Sequence, residues 1–253
     1  MKVMTARFLP RNTKLKMRPT YQLVLLICLG SFTCAGCMDG PFYAIKRVNP
    51  YYRAEWKKDR ELGPTFEDRL SELELLKSQL AGMSPEEQQQ WSTRLEKIVQ
   101  DDASSEMRAR AVDAIAGLPY ESATRALNSA SADEIEKVRL AACRAWKIQK
   151  GEAARDMLLS LAQKDESSSV RQAAVDSLSI FNEQEVQAAL AQMLDDRSPA
   201  VQFQVTQSLK QITGRDYGGD FESWRKFLAG EQVPEPPPIS VADKVWNSLP
   251  TWW

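Results

Sequence analysis

Four aspartates, Asp102, Asp133, Asp165 and Asp196, recur at intervals of 31, 32 and 31 residues. Six residues after each comes Arg108, Arg139 or Arg171, with Gln202 in the fourth place. Carboxylates and guanidiniums in such a pattern can pair with one another through charge-assisted hydrogen bonds. Alternatively, the arginines can hold an anionic partner. Reaction chemistry has fewer candidates. The chain contains no histidine, which excludes histidine triads, bases and metal ligands. The pairs Asp101-Asp102 and Asp195-Asp196 are adjacent in turns, with no apolar pocket to separate their pKa values. Asp216 and Asp220 lie among glycines, but they lack the ligand count of a calcium loop. No glycine-rich phosphate loop follows a strand. These residues imply no catalytic group, no metal, no cofactor and no small-molecule substrate.

The elements that carry the aspartates repeat with them. Met107, Val138, Val170 and Val201 stand five residues after each aspartate, and Ile115, Trp146, Leu178 and Leu209 lie eight residues further on. Small residues such as Ala141-Ala142 and Ala173-Ala174 come between, where they allow close helix approach. A period near 31 signals stacked supersecondary units. The expected fold is all-α, an α-solenoid of about four helix pairs with flanking capping helices. An N-terminal capping helix is predicted over residues 65–84, with Thr65 and Asp68 as a capping box and Phe66, Leu70, Leu73, Leu76 and Leu80 on one stripe. The array and its C-terminal cap fill residues 85–230. Ser84, Pro85 and Glu87 start the first helix of repeat one. Second helices start at Ser104, Ser167 and Ser198, whereas repeat two has Ile135 there, so Asp133 is expected to cap instead. Asp220 caps a last helix bearing Phe221, Trp224, Phe227 and Leu228.

Asp165 to Ala174 and Asp196 to Leu209 resemble HEAT repeats, in the short bacterial form also found in phycobilisome-lyase-type proteins. The resemblance covers roughly residues 85–213. It departs most in repeat two, whose first helix near Glu121 to Ala130 is short and polar. The resemblance implies that Asp102, Asp133, Asp165 and Asp196 form a structural ladder with Arg108, Arg139 and Arg171. It also implies that the second helices line a concave side. The outward positions there would be Ala109 and Asp113, Leu140 and Arg144, Gln172 and Asp176, and Phe203 and Gln207. Leu140, Arg144, Phe203 and Gln207 are the candidate contact residues on that face. The two apolar ones could instead pack beneath flanking segments. A lyase-like enzyme is the remote implication, because a shared scaffold carries no activity by itself.

The ends of the chain read as addresses. The first 36 residues hold six basic residues, no acidic one, and the apolar run Tyr21 to Phe32. These are the parts of a secretory signal over residues 1–36. Ala35-Gly36-Cys37 resembles the lipobox of bacterial lipoproteins, which implies lipidation of Cys37, although Cys34 stands where an aliphatic residue is usual. Cys143 is then the only other cysteine left, at a core position filled elsewhere by Val112 and Val175. Removing the leader lowers the 33 basic residues to 27 against 34 acidic ones, which argues against nucleic-acid binding. Residues 37–64 form a membrane-proximal tether mixing aromatic and basic residues. They are suited either to lipid headgroups or to a short helix from Asn49-Pro50 that docks on the array. Residues 231–253 form a proline-rich linker and a tryptophan-rich tail. Trp246, Trp252 and Trp253 could meet a partner, a membrane interface or the array itself. The expectation is a non-enzymatic protein-binding or scaffolding module, anchored through Cys37 on the exported side of a cell-envelope membrane, with an envelope assembly component as the alternative.

Overall fold

The structure, a computed structural model, describes residues 49–234. The expectations for the signal segment, Cys37 and the tryptophans Trp246, Trp252 and Trp253 lie outside the described residues. Among those residues the protein has eleven helices and no strand, and no helix is long and apolar enough to cross a membrane.

The described chain divides at Thr65 into two units. The first holds α1 (Pro50–Leu62), with proline at its first helical position. The expected tether therefore ends in 13 residues of helix. The second unit contains α2 (Phe66–Leu80), α3 (Pro85–Asp101), α4 (Ser105–Ile115), α5 (Glu121–Ser131), α6 (Glu136–Gln149), α7 (Gly151–Lys164), α8 (Ser168–Leu178), α9 (Gln184–Met193), α10 (Pro199–Thr213) and α11 (Phe221–Leu228).

Local sequence sets the helix ends. Ser84 accepts from the Glu87 N–H while the Glu87 carboxylate accepts from the Ser84 N–H, a complete capping box. Before α4, α6, α8 and α10 one device is repeated. The Oδ1 of Asp102, Asp133, Asp165 or Asp196 accepts the N–H two residues on, from Ser104, Ile135, Ser167 or Ser198, at 2.7–2.9 Å. Ser104 and Ser167 add side-chain caps. Ser198, expected to do the same, makes no side-chain cap bond, and that turn is held by the Asp196 carboxylate with Pro199 at the first helical position. Asp220 caps α11 by accepting the Ser223 N–H. A single residue, Lys150 at φ 59°, joins α6 to α7, with Gly151 at φ 83° completing the reversal.

The helices of this unit form two rows. The first contains α3, α5, α7, α9 and α11, and the second contains α2, α4, α6, α8 and α10, each helix packing on the next. The capping helices are thus half-repeats: α2 is a second-row helix that packs on α4, and α11 is a first-row helix that packs on α9. Small residues draw the second row together. The Ser177 hydroxyl on α8 reaches the Cys143 carbonyl of α6 at 3.1 Å, and Ser208 on α10 reaches Val175 of α8 at 2.9 Å. The first row is tight only between α3 and α5, where Ser92 and Ser122 hydroxyls meet at 2.6 Å. From α5 onward it spreads, so the second row lies on the inner side of the curve.

The core runs through all layers. Ile115, Trp146, Leu178 and Leu209 are buried, as are Ala111, Ala142, Ala174 and Val205. Cys143 is buried too, and burial pushes its thiol up to about 12. The expected stripe of α2 holds for Leu73, Leu76 and Leu80. Phe66, the first residue of α2, is exposed, and Leu70 is half-buried against the core. In repeat two, α5 has 11 residues against 17 in α3 and 14 in α7, so it is short as expected, though α9 with 10 is shorter still. Helix α5 buries Ser122, Ala123, Ala126, Leu127 and Ala130, so small residues, where a polar surface was expected, make its inner face.

Candidate protein-interaction face

The repeated aspartates and arginines come together along one edge. The Arg108 guanidinium donates to both oxygens of Asp133 at 2.8 and 2.9 Å. Arg139 does the same to Asp165 at 2.8 and 3.0 Å, and Arg171 to Asp196 at 2.9 and 2.8 Å. Each arginine also donates to the carbonyl of its own unit's aspartate, Asp102, Asp133 or Asp165. Every guanidinium thus joins two consecutive units. Arg139 uses all five of its N–H donors within the stack, and Arg108 and Arg171 use four each, which leaves no two-pronged donor fork for an anionic ligand.

Both ends of this edge are closed by residues outside the arginine pattern. At the N-terminal end Arg69 of α2 donates to Asp102. At the other end Gln202 donates to the Asp196 carbonyl at 2.8 Å. Arg69 escaped sequence reading because no aspartate precedes it at the usual spacing. The other arginines stand 25 or 26 residues before the aspartate they serve and Arg69 stands 33 before Asp102, so the spacing carries no signal for it.

The electrostatics follow from this geometry. Burial works against charge on Asp133 and Asp102. The Arg108 guanidinium and Ile135 N–H outweigh it at Asp133, and the Ser104 N–H and Arg69 outweigh it at Asp102, so both carboxyls sit below their ordinary value. At Asp196 the Arg171 guanidinium leads, and that pKa is also lowered. A carboxylate with a lowered folded pKa contributes stability that is present above its unfolded value and lost as pH falls through the folded one. The thermal midpoint should therefore be flat from neutrality to about pH 5 and should fall below about pH 4. Circular dichroism melts at successive pH values check this; an equal midpoint at pH 3 and pH 5 would remove the ladder's ionic contribution.

The inner face of the second row carries another set of links. Arg144 on α6 donates to both oxygens of Asp113 on α4 at 3.1 and 3.2 Å. Lys147 on α6 and Gln204 on α10 both reach Asp176 on α8, at 2.9 and 3.1 Å. Arg110 joins Glu106 and Glu74, and Lys137 also bonds Glu106. These are solvent-exposed pairs, each worth roughly 0–1 kcal/mol. Their effect on recognition is to leave the face with its charges already matched.

Against that background the outward positions differ. Phe203 is 63% exposed, Gln207 is exposed one turn on in α10, and Arg144 is exposed on α6. Leu140 is half-buried against the core, and Ala109, expected to point outward, is buried. A methyl group is short enough for neighbouring helices to shade it, and a phenyl ring is not. Phe203 is not alone among the described residues: Leu62, Phe66, Leu75, Ile135, Ile148 and Ile180 are also exposed, and of these Ile148 lies near the end of α6 and Ile180 just past the end of α8. Ile148 and Ile180 stand 32 residues apart in the sequence, the same repeat position in adjacent units, and that coincidence was the overlooked signal. A shallow groove of about 300 Å³ lies between α9 and α11, lined by Gln184, Gln187, Ala188 and Leu228 among others. No group of three or more carboxylates and cysteines among the described residues is arranged to hold a metal.

A family model described as HEAT repeats matches residues 92–179 and 162–218, together half of the chain. No curated protein matches the sequence. HEAT repeats generally mediate protein interaction or scaffolding and are typically non-catalytic. The paired helices, the two rows and the match over residues 92–218 agree, and the chain belongs to the HEAT-repeat family.

Proposed function

We propose that the protein is a non-enzymatic binding or scaffolding module, held on the exported side of a cell-envelope membrane by a lipid on Cys37. It presents the inner face of the second row, with Phe203 and Gln207 on α10 as the leading contacts and Leu140 and Arg144 on α6 as further ones. The observation that carries this reading is the exposure of Phe203 on a rigid face whose charges are satisfied across the stack. An exposed phenylalanine costs solubility, and large aromatic anchors dominate binding energy at interfaces. The ladder residues serve the stack and offer nothing to a ligand.

Pull-down of membrane-extracted protein tests the face. Phe203→Asp should abolish recovery of the partner set while leaving the thermal midpoint within a few degrees of wild type. Unchanged recovery would favour a passive structural role instead. Incorporation of radiolabelled palmitate, lost in Cys37→Ala, tests the anchor separately. Labelling that persists in that variant would overturn lipidation at this position.

A further inference from the structure

The outward stripe of the second row runs on to a line of equivalent positions, Gly117, Ile148, Ile180 and Gln211, each ten residues after Met107, Val138, Val170 or Val201. All four are exposed, Ile148 by 57%. The two middle units thus set one isoleucine beside another at the ends of α6 and α8. Charges near this line are matched within the array, Arg144 with Asp113, Lys147 with Asp176 and Lys210 with Asp216. An ionic partner therefore finds little to pair with there.

Neutral polar groups are the exception. Gln172 on α8 and Gln207 and Gln211 on α10 lie on the same stripe, and among the described residues their amides make no hydrogen bond. Gln149, Gln202 and Gln204, by contrast, each donate to another residue of the array. A carboxamide carries donors and an acceptor together, which complements the N–H and C=O of a main chain. Helices and sheets spend those groups internally. A single extended segment keeps them free.

Spacing decides which extended form fits. Packed helices stand about 8–10 Å apart, and the Ser177 and Ser208 bonds hold α6, α8 and α10 in close succession. A β-strand returns a side chain to one face every two residues, about 6.6–6.8 Å. Polyproline II returns one every three residues, about 9.3 Å, and has no internal hydrogen bonds. A helix with contacts seven residues apart, about 10.5 Å, has the right step but no free main chain for the glutamines.

Building on the inner-face reading above, we propose that the partner element is an uncharged segment in the polyproline II form, crossing the second-row helices. Its apolar side chains, three residues apart, rest on Ile148 and Ile180. Gln207 and Gln211 then take its main chain where it reaches α10.

Fluorescence anisotropy tests this with the full chain in phosphatidylcholine nanodiscs and a labelled (Leu-Pro-Pro)5 peptide, with empty nanodiscs as background. Wild type should bind the peptide saturably. Ile148→Asp/Ile180→Asp should weaken binding tenfold or more with the thermal midpoint unchanged. Gln207→Ala/Gln211→Ala should weaken it about tenfold, the loss of one or two hydrogen bonds. A (Leu-Pro-Pro-Pro)4 peptide, whose leucines turn off one face, should bind at least tenfold more weakly. Absence of saturable binding, equal binding of the two peptides, or unchanged affinity in the isoleucine variant each overturns the proposal. So does preference for a helical peptide with leucines seven apart. Pull-down separates this from the broader reading: partner recovery lost in Phe203→Asp but kept in Ile148→Asp/Ile180→Asp would sink the polyproline II assignment and leave the inner face standing.

Discussion

Arg139→Ala is expected to lower stability by about 3–5 kcal/mol, because it strands a buried carboxylate. For a unit of this size that is roughly 6–20 °C in the thermal midpoint. Arg139 and Asp165 are the most enclosed pair of the edge, with side chains 8% and 5% exposed. Truncation leaves the Asp165 carboxylate with only the Ser167 N–H of its donors in the ladder, and it frees the Asp133 and Glu134 carbonyls. The same change at Arg69, 42% exposed against Asp102, should cost far less, since solvent screens that pair. Circular dichroism melts of the two variants check the ranking. Equal losses at Arg139 and Arg69 would mean that burial does not govern the edge. The double variant Arg139→Ala/Asp165→Ala should lose less than the sum of the singles, because the uncompensated charge leaves with its partner.

Trp146→Ala is expected to cost about 3–5 kcal/mol through the cavity it leaves. Trp146 is buried where the other units have Ile115, Leu178 and Leu209. Its indole N–H donates to the Ser131 hydroxyl at 2.9 Å, and that hydroxyl donates to the Leu127 carbonyl at 2.8 Å. The tryptophan therefore ties α6 to α5 in the middle of the array. Because a solenoid is stabilised by contacts between neighbours, loss at this place should weaken the coupling between the units before and after it. Urea denaturation should show a lower midpoint and a broader transition. Trp146→Leu, the residue used one unit later, should recover part of the loss. A change under about 1 kcal/mol for the alanine variant would contradict the role given to this side chain.

The repeat architecture was legible because it depends on short-range periodicity. The triple Val201, Val205 and Leu209 falls on one helix face through spacing alone, and Ser84 with Glu87 marks a helix start by a local hydrogen-bond exchange. The face was less legible. Ala109, Leu140 and Phe203 share a repeat position, yet one is buried, one half-buried and one exposed. Spacing assigns a direction to a side chain, and its length relative to neighbouring helices decides whether solvent reaches it. Ile148 and Ile180 were missed because each gains its meaning from a residue one repeat away, and Arg69 because its 33-residue distance to Asp102 breaks the 25- or 26-residue spacing of the other arginines.

The amino-acid sequence by itself determined that this is an all-α repeat protein without histidine chemistry, with its layers built on Val, Ala and Leu at fixed steps. Those properties follow from composition and from the 3.6-residue helical turn. Only the tertiary structure decided which unit each arginine serves. Each guanidinium reaches forward to the next unit's aspartate, Arg69 of α2 supplies the first, and Gln202 ends the series. It also decided that the inner face keeps Phe203 in solvent while its charges are cancelled between helices. Both depend on how closely the second-row helices approach, a distance set by small side chains on several units at once.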